Sequence, residues 1–353
     1  MELTVQTGEA YPIYFRHTYE DLSDVLSQAD LLGRKICIVT DSNVAPLYLD
    51  IVKKALGQPP SFVFEAGEMQ KHTNTLQEMY ACFLDYKLDR HSVIIALGGG
   101  VVGDLAGFAA ATFMRGIAFV QLPTSLLAQV DASVGGKTAI DFKGVKNLIG
   151  AFYQPRLVYI NLTTLETLPR QEFISGMGEV IKHGLIDNSD YYQYLQEHRQ
   201  AIYNLEPEAL LQVVAGSCRI KAAVVAKDER ETGLRETLNF GHCVGHAVES
   251  LSEYSLPHGQ CVSIGMCTAL RLSLKMEYIT LEEMNLAIKL MKDFDLPIAT
   301  DYAPEKILTT MYKDKKTIND TLRVVLLKKI GVAYTDSTIS NEDILNIQTW
   351  SNK

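Results

Sequence analysis

The sequence predicts an α/β amino-terminal half followed by a mostly α-helical carboxyl-terminal half. Apolar, β-branched runs alternate with helically spaced segments as far as Pro169, and after it long helical stretches follow one another. The length of 353 residues is about 2.4 times the ~150 residues of one domain, so two domains are expected.

In chain order, strands are predicted at Lys35–Thr40, Ser61–Phe64, Ser92–Leu97, Ile117–Leu122 and Leu157–Ile160. Between the second and third, Leu76, Met79, Tyr80, Phe83 and Leu84 recur at helical spacing, and such alternation builds a parallel sheet covered on both faces. Helices are then predicted over Gln171–Leu185, Glu208–Ala226, Asn239–Ser250, Cys261–Leu274 and Leu281–Phe294, with few strand candidates among them. The boundary is placed at Thr167–Arg170, giving domains over 1–168 and 169–353.

Composition narrows the class. With 47% hydrophobic and 21% charged residues the chain can bury a core, which excludes a disordered linker. The longest uncharged stretch, Tyr254–Leu270, contains Pro257, His258 and Gln260 and falls short of the ~20 apolar residues of a membrane span. The first residues carry no secretory signal pattern, so the cytoplasm is the expected compartment. Six cysteines without a C-x-x-C pair read as small buried hydrophobes. A net charge of −9 disfavours nucleic acid and leaves any anion site to a local cluster of lysines and arginines.

The predicted strand Ser92–Leu97 runs into Gly98-Gly99-Gly100-Val101-Val102-Gly103-Asp104, a G-x-G-x-x-G turn in the context that seats a dinucleotide pyrophosphate on a helix start. The acid expected about 20 residues further on is replaced by Phe119, Val120 and Gln121, so Asp41 or Glu68 is the candidate for the ribose. The bland alternative is a tight strand-helix turn without a ligand. Gly135-Gly136-Lys137-Thr138 resembles the end of a P-loop, but Asp131 stands where its first glycine belongs, which argues against an ATPase.

His242 and His246 are four apart on one helix face, the spacing of a metal pair, while Cys243 replaces the glutamate a metalloprotease needs. His258 follows Pro257 in an expected loop, and Gly178-Glu179-Val180-Ile181-Lys182 offers a carboxylate with a lysine one turn on. Spacing leaves open which three of Glu179, His242, His246 and His258 would hold a metal; some could instead be hydrogen-bonded core histidines. Lys137, Lys146, Lys182, Lys221, Arg235 and the run Lys313-Asp314-Lys315-Lys316 are either solvated surface charges or the receptor of an anionic substrate.

Taken together, Gly98–Asp104, Leu122–Asp131, Gly135–Asp141, Lys146-Asn147, Gly178–Lys182 and Leu238–His246 resemble the 3-dehydroquinate synthases of the sugar-phosphate cyclase group. The resemblance implies a Rossmann-like NAD-binding domain, a helical metal- and substrate-binding domain, and a homodimer that binds neither nucleic acid nor membrane. It implies conversion of 3-deoxy-D-arabino-heptulosonate 7-phosphate to 3-dehydroquinate and phosphate, with NAD and a divalent metal, zinc or cobalt. A ring hydroxyl is oxidised transiently, phosphate leaves by β-elimination, and reduction, ring opening and aldol closure follow. NAD and the pocket bearing the metal are expected to face each other across the cleft between the halves.

Position by position, the resemblance implies Glu179, His242 and His258 as metal ligands. It sets Arg235 and Asn239 at the substrate carboxylate, and Lys137, Asn147, His246 and Arg115 at phosphate or proton transfer, with Arg115 reaching across a dimer interface. Asp131, Lys182 and Lys221 fall around the ring hydroxyls, and Lys315 or Lys316 closes the site. For NAD it implies Asp41, Asn43, Glu68 and Lys71 at the adenosine half, Gly99, Gly100, Val101 and Asp104 at the pyrophosphate, and Thr124, Ser125, Leu127, Lys137, Lys146, Thr167 and Leu168 around the remainder. Ser125, Gln129 and Thr164 depart from the family's usual threonine, methionine and aromatic residue.

Three rivals stand beside this reading. Another cyclase would act on a sugar phosphate without a carboxylate and leave Arg235 unpaired. A polyol dehydrogenase would carry aspartate at position 179 and release reduced cofactor. A regulatory NAD-binding domain would have no use for the metal and lysine sets.

Overall fold

The computed structural model describes residues 1–312 and 322–348. They form two compact units, Met1–Leu168 with Lys221–Ala226, and Pro169–Ile220 with the residues from Lys227 onward.

The first unit is built on strands β1 (Glu2–Val5), β2 (Tyr11–Arg16), β3 (Ile36–Asp41), β4 (Ser61–Phe64), β5 (Val93–Gly98), β6 (Ala118–Pro123), β7 (Lys137–Phe142), β8 (Val145–Phe152) and β9 (Leu157–Asn161). Its helices are α1 (Leu22–Gln28), α2 (Asp50–Ala55), α3 (Thr73–Asp85) and α4 (Gly100–Thr112). Seven strands make one sheet in the order β1-β2-β9-β6-β5-β3-β4, parallel except for β1 against β2, and β7 pairs with β8 in a separate ribbon.

Residue alternation decides which face each side chain covers. Cys37, Val39, Ile94, Ala96 and Phe119 pack with α3 and α4, whereas Ile36, Ile38, Val93, Ile95, Leu97, Val120 and Tyr159 pack with α1 and Val52. From β3 the chain turns outward to the edge strand β4 and then returns to the other side of β3 as β5. This reversal makes the carboxyl ends of β3 and β5 a topological switch point, where open α/β sheets bind ligands.

The second unit contains α5 (Arg170–Asp187), α6 (Ser189–Glu197), α7 (Arg199–Tyr203), the first part of α8 (Pro207–Lys227), α9 (His242–Leu251), α10 (His258–Lys275), α11 (Leu281–Asp293), α12 (Pro304–Met311) and α13 (Asn341–Gln348). It also holds an antiparallel hairpin, β10 (Val324–Lys329) and β11 (Val332–Asp336), in a half expected to offer few strands. Among the described residues α8 alone has the length and apolar composition of a membrane span, and 72% of that stretch is buried inside the protein, as in a core helix.

Three expectations are corrected here. His258 is the first residue of α10 rather than a loop residue, because Pro257, at φ −58°, is set for a helix entrance. The helix predicted from Asn239 begins at His242; Leu234–Asn239 is a separate 3₁₀ turn, and Gly241, at φ +79°, breaks the two apart. Of the six cysteines, all free, Cys82 and Cys243 are only half buried.

Candidate active site

In the first unit, Asp41 ends β3, where its Oδ1 accepts hydrogen bonds from the N–H groups of Asn43 and Val44, each at 2.9 Å. Further along, the Tyr48 hydroxyl bonds that of Thr167, which donates to Thr164 O at 3.2 Å. These contacts tie the turn holding Thr167 and Leu168 to the segment after Asp41. At the end of β5, Thr124 N donates to Gly98 O at 3.0 Å, and Gly99 caps α4 without a side-chain hydrogen bond.

Two glycines of this turn have different reasons to be there. A Cβ on Gly98 would come within 2.5 Å of Cγ2 and 2.7 Å of Cβ of the buried Val102, so packing requires glycine. A Cβ on Gly99 would meet only Ser125, at 3.5 Å, so the protein's own packing leaves the space over Gly99 open. An open backbone at a helix start, at the switch point, with Asp41 on the adjacent strand, fits a dinucleotide.

Beside it, Lys71 Nζ lies 2.6 Å from Asp104 Oδ2 and 2.5 Å from Asn147 Oδ1, and Lys146 lies 3.7 Å from Glu68. Burial lowers the Lys71 pKa, but Asp104, Glu68 and Asp141 outweigh it and raise it. Asn147, expected at the substrate phosphate, thus lies beside Lys71, a residue expected at the cofactor. Asp131 Oδ1 pairs with Lys221 Nζ at 2.6 Å. Ser125 and Leu127 are half buried, and Lys137 and Arg115 are exposed. Met114 and Arg115 hold φ of +49° and +68°, a strained backbone in front of Gly116.

The departures at 129 and 164 form one feature. The buried Gln129 amide donates to Pro123 O and Asn161 O, each at 3.3 Å, and to Thr164 Oγ1 at 3.0 Å, binding the ends of β6 and β9 to the turn that carries Thr167.

In the second unit, α5, α9 and α10 bring Glu179, His242 and His258 together. Glu179 is fully buried; Lys182 pairs with its Oε2, and Oε1 has no hydrogen-bond partner among the described residues. His242 Nε2 and His258 Nε2 each lie 3.7 Å from that Oε1. This is too long for a hydrogen bond and close to the roughly 3.3 Å between ligands of a tetrahedral zinc. Each ring is turned by its other nitrogen, Nδ1 of His242 at 3.2 Å from Phe240 O and Nδ1 of His258 at 3.1 Å from Glu249. The set fits a divalent metal. His246 packs against both rings, at 5.2 and 5.7 Å between centroids, so a second grouping, His242, His246 and His258, also comes within ligand reach.

Just ahead of α9, one turn carries Arg235 and Asn239. Arg235 is almost fully buried and donates through Nη1 to Glu229 O; Asn239 Nδ2 donates to Glu231 at 3.0 Å. Asp228 anchors this turn, taking Thr232 N and Gly233 N at 2.8 Å and Arg235 N at 3.0 Å. Burial pushes its carboxyl up, but these N–H groups outweigh burial and bring it down to about 2.

Among the described residues the buried basic side chains are Lys71, Lys182, Lys221 and Arg235, all predicted site residues. The buried acids are Asp41, Glu179, Asp228 and Glu249. Sequence reasoning missed the last two; the available signal for Glu249 was its place two turns after His242, on the same helix face. Lys315 and Lys316 lie outside the described residues.

This fold is that of cyclising synthases. A solved 2-deoxy-scyllo-inosose synthase complexed with carbaglucose-6-phosphate, NAD+ and Co2+ superposes with a TM-score of 0.89 over 99% of this chain and 100% of that one, at 23% identity. A 2-epi-5-epi-valiolone synthase from Streptomyces hygroscopicus with NAD+ and Zn2+ bound gives 0.89 at 24% identity, over 97% of this chain and 96% of that one. Family models for the N-terminal and C-terminal parts of 3-dehydroquinate synthase match residues 61–175 and 176–317. A 3-dehydroquinate synthase from Acetivibrio thermocellus is 44% identical over 342 residues, 95% of this chain and 94% of that protein. The chain belongs to the 3-dehydroquinate synthase family. Identities of 40–45% to synthases of that name decide the reading over the other cyclases and the polyol dehydrogenase.

Proposed function

We propose that the chain converts 3-deoxy-D-arabino-heptulosonate 7-phosphate to 3-dehydroquinate and inorganic phosphate, and that the residues gathered in each unit divide the work as follows. Asp41 takes the ribose hydroxyls of NAD, and the start of α4 takes its pyrophosphate. Glu179, His242 and His258 hold a divalent metal, and Lys182 offsets the negative charge of Glu179. When bound, NAD accepts and returns a hydride and the metal acts as a Lewis acid toward substrate oxygens. Arg235 and Asn239 grip the substrate carboxylate, and Asp131 with Lys221 orients ring hydroxyls. Arg115, Lys137 and His246 serve the phosphate end and its proton transfers.

One observation carries the choice of substrate: Arg235, 1% exposed, sits on the turn that leads directly into the metal-ligand helix. A substrate carboxylate offers that guanidinium a charge-assisted, two-pronged partner, which a sugar phosphate without a carboxylate does not.

Two further points belong to this proposal. The protein works as a homodimer; the ribbon exposes Leu148 at 45%, Ile149 at 37% and Phe152 at 46%, and Met114, beside Arg115, at 47%, apolar surface suited to a second copy. It works in the cytoplasm, in keeping with six free cysteines.

The test is incubation with the heptulosonate phosphate, NAD and zinc, following inorganic phosphate and absorbance at 340 nm with and without chelator. Phosphate release that stops with chelator, with no net rise at 340 nm, is expected. A steady rise at 340 nm without phosphate release would overturn the proposal in favour of a dehydrogenase.

A further inference from the structure

His258 is held from both sides. Its Nε2 faces Oε1 of Glu179 at 3.7 Å, and its Nδ1 lies 3.1 Å from Oε2 of Glu249. Glu249 is on α9, seven residues after His242 and therefore on the same helix face, and only 6% of it is exposed. The contact spans two helices, since His258 opens α10.

A buried carboxylate is costly unless it is paired and hydrogen-bonded. Facing Nδ1, an ionised Glu249 accepts only, so the proton must sit on Nδ1, and the lone pair of the neutral ring is then on Nε2. The partner of His242 differs: its Nδ1 faces the neutral carbonyl of Phe240 at 3.2 Å. Of the two rings, one is oriented by a peptide group and the other by a full negative charge.

We propose that Glu249 is a positioning residue for the metal centre. It fixes the tautomer and plane of His258 and makes its Nε2 a stronger donor. The inference rests on the reading of Glu179, His242 and His258 as metal ligands. Partners of this kind typically contribute about 10–100-fold in metal affinity.

The test measures zinc affinity of the full chain, stripped of metal, by competition with a chromophoric chelator. Wild type, Glu249→Gln, Glu249→Asp and the control His258→Ala are compared, with metal-free melting temperatures. The expected result is zinc binding by wild type, its loss in His258→Ala, and binding about 10–100-fold weaker in Glu249→Gln at an unchanged metal-free melting temperature, partly recovered in Glu249→Asp. Wild-type affinity in Glu249→Gln, with His258→Ala still defective, overturns the inference and leaves the ligand set standing. A wild type that binds no zinc, or a His258→Ala that binds it normally, overturns the ligand set and the inference with it. Should Glu249→Gln fail to fold, ¹⁵N imidazole spectra of the zinc-loaded wild type decide: a proton on Nδ1 of His258 supports the assignment, and a metal on Nδ1 overturns it.

Discussion

Asp228 accepts from three backbone N–H groups and the Thr232 hydroxyl, and so fixes the turn that presents Arg235. An asparagine there would set its amide donors against backbone donors. Asp228→Asn should lower stability by about 1–3 kcal/mol, read by denaturant unfolding, and raise KM for the heptulosonate phosphate more than it lowers kcat. The pH sign follows from a folded pKa of about 2, below the ordinary 3.8. The stabilisation is present above the unfolded value and is lost as pH falls from about 4 through about 2, so acid unfolding of Asp228→Asn should lack that component. At His246 the expectation differs, since the proposed ligand set excludes it. His246→Ala should keep its zinc by metal analysis while turnover falls by about 10²-fold or more, the usual scale for a proton-transfer group. Loss of the zinc would reassign the third ligand.

At the scale of elements, the glycine turn makes a paired prediction. Gly98→Ala forces a Cβ against the buried, branched side chain of Val102 and should cost about 1–3 kcal/mol of stability. Gly99→Ala meets only ordinary contact, and with φ −75° and ψ −169° its backbone suits alanine. Its melting temperature should therefore hold while NAD binding by titration weakens at least about tenfold. The parallel strands β3, β4, β5, β6 and β9 were legible to within one residue at each end; all but the edge strand β4 are buried on both faces and so read as continuous apolar runs. The β7–β8 ribbon was not, since β8 is mostly exposed and its residues Val145-Lys146-Asn147 do not alternate. β10 escaped for another reason: its apolar run Val324–Leu327 is as compatible with a buried helix as with a strand. The shared helix face of His242 and His246 was legible from spacing and the helical place of His258 was not; Glu249 shares the face of His242, but its role, like that of Asp228, lies in hydrogen bonds that spacing does not show.

Taken whole, an acidic chain of net −9 buries four basic side chains, among its described residues, at positions the family resemblance assigns to substrate or cofactor. Burying charge stabilises little by itself, so function accounts for their retention better than folding does. The sequence discloses how Lys182 is satisfied, by Glu179 one turn away on α5; it could not disclose that Lys71 faces Asp104 or that Lys221 faces Asp131, pairings between segments far apart in the chain. The central claim is that one chain oxidises and reduces its substrate within a single turnover while NAD stays bound. The direct measurement loads the zinc protein with one NAD per chain, removes free nucleotide, and counts 3-dehydroquinate formed from excess heptulosonate phosphate. Many products per NAD with no lasting absorbance at 340 nm is the predicted result. Formation that halts at one oxidised product per NAD, with reduced cofactor accumulating in step, would contradict it.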